Sequence, residues 1–411
     1  PDLRKKLLFT LSIIALFRLG SVLPTPGVSY TAVQSCIDQV QDNSIYGLIN
    51  LFSGGALLQL SIFALGIMPY ITSSIIIQLL GVVIPRLESL KKEGQAGQAR
   101  ITQYTRYLTI GLAILQSTTI ITLARTPGRL FSGCNEQLVP AQDLPLMVTM
   151  VLIMTAGTGL IMWLGELVTD RGVGNGMSIL IFTSIISSFP GQLSSIWKID
   201  GSMKFLLTIG VGLVTIAAVV FVEQAQRRIP VQYAKRMVGR KEYGGTSTYL
   251  PIKVNQAGVI PVIFASSLLY LPSLIVQLTG SQAGWAQWIS TYMGTGRPAY
   301  LVLNFLLIVF FTYFYVSITF NPVEVADDMK KYGGFIPGIR AGKPTSDYLQ
   351  YVINRITFPG AIYLALIATI PYIAFDILGV GKRFMFGGTS LLIMVGVGLD
   401  TVKQIESQLQ Q

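Results

Sequence analysis

Ten apolar runs, each nearly free of charge and bounded by Lys, Arg, Gly or Pro, divide the chain: about 7 to 23, 60 to 84, 104 to 124, 145 to 165, 177 to 190, 203 to 222, 258 to 279, 299 to 320, 352 to 373 and 388 to 402. A bilayer core about 30 Å thick takes roughly 20 apolar residues per helix. Backbone inside lipid must satisfy its own hydrogen bonds, which leaves helices or closed barrels. No regular alternation over segments of roughly ten residues accompanies these runs, so they predict helices. The fold class is all-α, a polytopic membrane protein of ten transmembrane helices, with the fifth and tenth runs short.

Composition agrees: 51% of the 411 residues are hydrophobic and 12% charged, about half the charge of an ordinary soluble domain. Charge then orients the helices. With the N-terminus cytoplasmic, 22 of the 30 Lys and Arg residues fall in inner segments. Seven fall outside (Arg125, Arg129, Lys198, Lys204, Arg297, Lys382, Arg383), and Arg18 lies within the first run, near enough to its outer end to snorkel. The bias of basic residues toward inner loops puts both termini in the cytoplasm. The basic start before residue 7 resembles a signal peptide, but nine further runs make it a first membrane helix.

Candidate chemistry is thin. There is no His, so a His-based triad or proton relay has no residue to use, and a zinc site is nearly excluded. No catalytic, metal-binding or cofactor-binding residue is expected. Cys36 and Cys134 both fall in outer segments, on the oxidising side, where a disulfide between them and two unpaired thiols are both open. The glycine-rich GVGNG (172 to 176) and GVGK (379 to 382) lack the spacing of dinucleotide and phosphate loops and read as turns between helices. Asp327 and Asp328 are adjacent, so on a helix they diverge by about 100° and do not share a substrate. Around them NPVE, with Asn321 as N-cap and Pro322 in the first turn, predicts a helix start in a cytoplasmic segment.

One motif recurs. GIMPYI (66 to 71) opens the second run and GVIPVI (258 to 263) the seventh, both fitting G-x-x-P-x-I. They occupy the second of five positions in halves of opposite orientation, as two five-helix halves of an inverted-topology pseudo-repeat would. Gly and Pro at matching places point to a central pathway, because irregular backbone at membrane depth is tolerated only beside protein or water. Chance recurrence is the competing explanation, weakened by the ITSS and IFASS that follow the two prolines.

The stretches FRLGSVLPTPGV (17 to 28), FSGGALLQLSIFALGIMPYITSSIIIQLL (52 to 80), KKEGQAGQARITQYTR (91 to 106), MWLGELVTDRGVGNGMSILIF (162 to 182), QRRIPVQYAKR (226 to 236), NQAGVIPVIFASSLL (255 to 269), NPVEVADDMKKYGGFIPGIR (321 to 340), NRITFPGAIYLALIA (354 to 368) and FMFGGTSLLIMVGVGLD (384 to 400) resemble, in order and along essentially the whole chain, the bacterial SecY family. The resemblance implies an hourglass-shaped pore between the two halves, residues 1 to 190 and 191 to 411. It conducts unfolded secretory polypeptides across the plasma membrane and releases signal sequences and membrane helices sideways into lipid. The small subunits SecE and SecG, the SecA motor ATPase, the ribosome, signal-bearing chains and membrane lipids are the partners it implies. The chain itself would be no enzyme.

By motif, the resemblance puts an aliphatic pore ring on Ile67, Ile71, Met177, Ile181, Ile263 and Ile393. A constriction of this kind resists water and ions by dewetting and offers a passing chain no fixed hydrogen bonds. The segment from about Gly47 to Gly66, broken at Gly54 and Gly55, is too short on either side of the break to span. It takes the place of the family's plug, with Gly47, Leu51, Phe52, Gly54, Gly55 and Leu57; a long tilted second span is the alternative. The lateral gate lies between the second and seventh spans and the third and eighth, and Gln78 and Asn255 are polar groups expected along it, where an amide pair in lipid holds a seam with roughly 1 kcal/mol. Two cytoplasmic loops, 223 to 257 and 321 to 355, carry net charges of +5 and +1. The resemblance makes them docking surfaces, with Arg240, Arg340, Arg236 and Lys235 facing ribosomal phosphates or a motor's acidic face. A secondary transporter would also use inverted repeats, but it normally holds ionisable groups at mid-membrane, and here Glu166, Glu324 and Asp400 lie near span ends.

Overall fold

A computed structural model of the chain describes residues 1–33, 60–92, 94–125, 139–140, 143–233, 236–238, 241–243, 247–258, 260–266, 268–269, 284–285, 288, 298–378 and 388–409. Eleven labelled helices run through it: α1 (Asp2–Val22), α2 (Met68–Val83), α3 (Pro85–Lys92), α4 (Gln95–Arg125), α5 (Leu144–Arg171), α6 (Gly176–Asp200), α7 (Ser202–Glu223), α8 (Pro298–Thr319), α9 (Pro322–Lys331), α10 (Lys343–Leu378) and α11 (Gly388–Leu409). Residues 260–266 are helical as well and cover the start of the seventh run. Among the described residues, four helices are long and apolar enough to cross a membrane by themselves: α5, α7, α8 with its extension, and α10. The protein is a mostly helical, multi-pass membrane protein.

Several elements differ from the expectation. The second run is not helical from residue 60. Residues 60–66 form turns, with Ser61 bridged to Pro24, the Ile62 N–H donating to the Leu23 carbonyl at 3.0 Å and the Thr25 N–H to that of Leu60 at 3.1 Å. Gly66 then takes φ +60 and Pro69 enters the first turn of α2. A left-handed glycine ends any helix arriving from upstream, so a long tilted second span is not formed. Non-helical backbone survives at this depth because it is wrapped in protein. The Ile62 carbonyl occupies the place where a side chain on Gly157 would project, and the Phe63 ring lies against Gly20 and stacks on Phe17 at 6.0 Å.

Other runs are longer than expected. The fifth continues through Pro190 to Asp200, and Gly201 separates that helix from α7. The ninth begins at Lys343 because its first turns are amphipathic: Leu349, Val352 and Ile353 are buried in a second core. That core has a small sheet that the loop reading of 223 to 257 did not anticipate. β1 (Gln226–Tyr233) pairs antiparallel with β4 (Ser247–Lys253), from Gln226 opposite Lys253 to Gln232 opposite Ser247. β5 (Gly334–Phe335) flanks β1, and β2 (Arg236–Val238) and β3 (Lys241–Tyr243) form an outer ribbon. Ile229 and Val231 point inward on β1 while Arg228, Pro230 and Gln232 face out, the period-two pattern of a half-buried strand.

Within each half the helices pack as neighbours: α2 on α4, α4 on α5, α5 on α6; and α8 on α10, α10 on α11 and α7. The halves join through α6 and α1, which lie against α11.

Candidate functional site

The two copies of G-x-x-P-x-I fold alike. Gly66 and Gly258 are both left-handed, at φ +60 and +70, and each is followed by a helix with proline in its first turn. Each glycine donates its N–H three residues back, to Phe63 at 2.9 Å and to Asn255 at 3.4 Å. The shared motif is therefore a shared device: a turn that reverses the chain and launches a short apolar helix inside the protein.

The residues assigned to the ring stand on these two launches and on α6 and α11. Ile67, Ile71, Ile181, Ile263 and Ile393 are all buried, none more than 2% exposed, in one continuous apolar core; Met177 packs against it half-buried. The five isoleucines, from four separate elements, bring branched side chains with no polar atom into that core.

Their placement depends on how α5 crosses α6. A side chain on Gly176 would fall on the Gly165 carbonyl, and one on Gly165 would meet Leu180 at 3.5 Å and Ile67 at 3.8 Å. The turn between these helices is the GVGNG segment. Gly174 is left-handed at φ +87, and the Asn175 side chain accepts from Met177 and Ser178 N–H at 3.0 and 3.4 Å, capping α6. Thr10 on α1 accepts from the Val173 N–H at 3.0 Å, and Thr169 from that of Gly176 at 2.9 Å. As expected, the segment is a turn; it also fixes where Met177 and Ile181 begin their helix. NPVE is likewise a helix start, with Asn321 accepting from Val323 and Glu324 N–H and Pro322 in the first turn.

On the side of the core reached by α2, a cleft of about 400 Å³ opens between the halves. Ile67, Gln78 and Arg106 belong to its N-terminal wall; Ile260, Phe264 and Tyr315 form its C-terminal wall. Phe264 is held edge-on against Phe311 and Tyr315 of α8, with centroids 5.8 and 6.4 Å apart. At the cleft's polar end Arg106 grips Glu166 with two parallel bonds of 2.8 and 2.9 Å. The pair ties α4 to α5; being partly exposed, it holds orientation more than stability. Sequence reading placed Glu166 near a span end and missed the pairing, although Arg106 near the start of one apolar run and Glu166 just past the end of the next were its available signal.

Gln78 and Asn255 do not form a pair. Gln78 lines the large cleft with its carbonyl oxygen buried and unbonded. Asn255 donates instead to Glu223 at 2.6 Å and to the Gly258 carbonyl at 3.2 Å, beside an adjoining cleft of about 240 Å³. An amide beside a buried carboxylate takes the charge-assisted bond over a neutral amide across a seam.

Of the docking residues, Arg340 is exposed on a turn shaped by left-handed Gly338 (φ +83), and its carbonyl accepts from the Thr345 hydroxyl. The backbone of Arg236 lies in β2. Arg240, Lys235, the plug residues Gly47, Leu51, Phe52, Gly54, Gly55 and Leu57, and the cysteines Cys36 and Cys134 lie outside the described residues.

Comparison with known proteins fits this architecture. The sequence profile of the SecY family matches residues 61–402. The chain belongs to the SecY family. It is 65% identical over 419 residues to the protein translocase subunit SecY of Streptomyces scabiei, covering 100% of this chain and 96% of that one. With the corresponding subunit of Mycobacterium bovis it shares 59% identity over 423 residues, again 100% and 96% of the two chains. Among solved structures it is similar to a protein conducting channel, with a TM-score of 0.71 at 18% identity over 99% of this chain and 93% of that one. Sec61 in the canine ribosome–channel complex from the endoplasmic reticulum is similar at a TM-score of 0.66 and 17% identity, covering 99% and 93%. At such low identities the likeness shows that the SecY fold is shared.

Proposed function

We propose that this chain is the channel-forming subunit of a bacterial Sec translocase. It passes unfolded polypeptides across the plasma membrane and lets signal sequences and membrane helices leave sideways into lipid. Membership of a family whose members are named translocase subunits favours this over solute transport. The observation that carries it is the burial of five isoleucines from four elements in one apolar core, with Ile67 and Met177 also lining a cleft between the two halves. An aliphatic collar of this kind excludes water when empty and yields to any chain, because it has no hydrogen bonds to give up.

In this reading residues 1 to 190 and 191 to 411 are the two halves, though α6 carries the first on to Asp200. The cleft is the cytoplasmic mouth of the gate, Gln78 stands in its wall, and the 47 to 66 segment is the plug beneath the collar. Both termini are cytoplasmic, as the distribution of Lys and Arg supports. Energy comes from a partner: the SecA motor or the ribosome, docked on the sheet-bearing loop and on exposed Arg340, with Arg240, Arg236 and Lys235 beside it. SecE and SecG complete the membrane assembly.

Liposomes carrying the chain with its small subunits test the function. A signal-bearing precursor becomes protease-protected only when SecA and ATP are both present. Protection without SecA, or accumulation of a small solute in its place, contradicts the reading.

A further inference from the structure

The hairpin β1–β4 is closed at its neck by the pairing of Gln226 with Lys253 and by a bond from the Val254 N–H to the Ala225 carbonyl at 3.1 Å. The Val254 carbonyl sits where a side chain on Gly360 would project, so the neck rests directly on the backbone of α10. One residue later comes Asn255, 2% exposed, whose single Nδ2 group donates in two directions. One bond, 2.6 Å long, reaches Glu223 at the end of α7, where the hairpin leaves the membrane helices. The other, 3.2 Å, reaches the carbonyl of Gly258, the left-handed glycine that launches the helix at 260.

One side chain thus bonds both the root of the hairpin and the turn that opens the helix. The Oδ1 of the same amide is buried without a partner, although Ser178 and Lys253, both donors, line the adjoining cleft. A buried acceptor left empty is uncommon and calls for a reason. An asparagine kept only to close a turn would have both ends satisfied; one that serves two arrangements of its helix leaves one end open in each.

We propose that Asn255, held by Glu223, is the positioning residue that converts a load on the 226–253 hairpin into movement of the helix beginning at 260. This rests on the channel reading above. A partner that tilts the hairpin turns its neck about α10, and Asn255 carries that rotation into Gly258, whose glycine φ absorbs it. Without the amide, the hairpin still folds on the core that its Ile229, Val231 and Ile252 share with Val316 of α8 and Leu349, Val352 and Ile353 of α10, and still binds its partner, but the helix no longer follows.

The test uses the complete translocase in liposomes with SecA, ATP and a signal-bearing precursor. For Asn255→Ala the expected result is SecA affinity within twofold of the parent and a translocation rate about tenfold lower. Glu223→Gln, which keeps an acceptor for Nδ2, retains at least half the parent rate. Glu223→Ala, which removes the same bond from the other side, matches Asn255→Ala and serves where that variant is poorly recovered. Adding Ile393→Asn to Asn255→Ala restores translocation, because a loosened collar needs less movement of the helix. The proposal is overturned if either alanine variant translocates at the parental rate, if SecA affinity falls in step with translocation, or if Ile393→Asn does not restore it. Failure of the parent protein to translocate would count against the channel reading instead.

Discussion

Asparagine in place of Ile393 or Ile71 raises the ion conductance of channel-bearing liposomes about tenfold, the change that ~1.4 kcal/mol off a barrier produces, and lets precursors with defective signals pass. Both isoleucines are fully buried in the large apolar core. An amide there offers water hydrogen bonds where the parent offers none, so the dry constriction wets. It also weakens the packing that a signal sequence has to displace, which is why discrimination falls as leak rises. Conductance across planar bilayers and protease protection of a signal-defective precursor measure the two effects. Unchanged leak with unchanged stringency would remove these residues from the seal.

The largest loss of folding is expected at Gly176. A side chain there falls on the Gly165 carbonyl, and both partners are backbone, so nothing flexible can move aside. Gly176→Val forces α5 and α6 apart. Overpacking of this kind costs about 1–3 kcal/mol, and the melting temperature of the purified complex should drop by roughly 1–4 °C, since an unfolding entropy of about 2 cal/mol/K per residue makes each kcal/mol worth little more than about 1 °C in a chain this long. The loss is also functional, because separating the helices shifts Ile67, which packs on Gly165, and Met177, which opens α6. Gly210 in α7 is the control: a side chain there meets nothing within 4 Å. Gly210→Ala should leave stability unchanged or slightly higher, since alanine is the better helix former. Equal melting temperatures for Gly176→Val and the parent would mean that the helices do not cross at these glycines.

How much of this was legible in the sequence varies by element, for physical reasons. The membrane helices were legible because lipid imposes length and apolarity on every one of them. The fifth and ninth boundaries were not. Pro190 looked like a stop, but a membrane helix tolerates proline where neighbours satisfy the freed backbone, and the amphipathic start at Lys343 belongs to a second core that hydropathy does not register. The hairpin 226–253 went unread because a basic loop and a basic strand look alike until the alternation of Ile229 and Val231 is given a partner to face. Motif matching gathered the ring residues, whereas composition and spacing alone would have left each isoleucine as one more core residue. The two polar contacts that organise the clefts, Arg106 with Glu166 and Asn255 with Glu223, join residues 60 and 32 positions apart. Only the fold brings such pairs together; their one local signal was charge at the end of an apolar run.

The central claim is that a collar of isoleucines closes a conduit between the two halves, and crosslinking to an arrested chain tests it most directly. Single cysteines replace Ile67, Ile71, Ile181, Ile263 and Ile393 in turn, with Leu206 and Leu213 of α7, which are 65% and 61% exposed, as outward-facing controls. A precursor bearing one cysteine in mid-chain is stalled during translocation and oxidised. The account predicts that all five collar positions crosslink to the same short stretch of the precursor and that neither control does. Crosslinks at Leu206 or Leu213 with none at the isoleucines would contradict it.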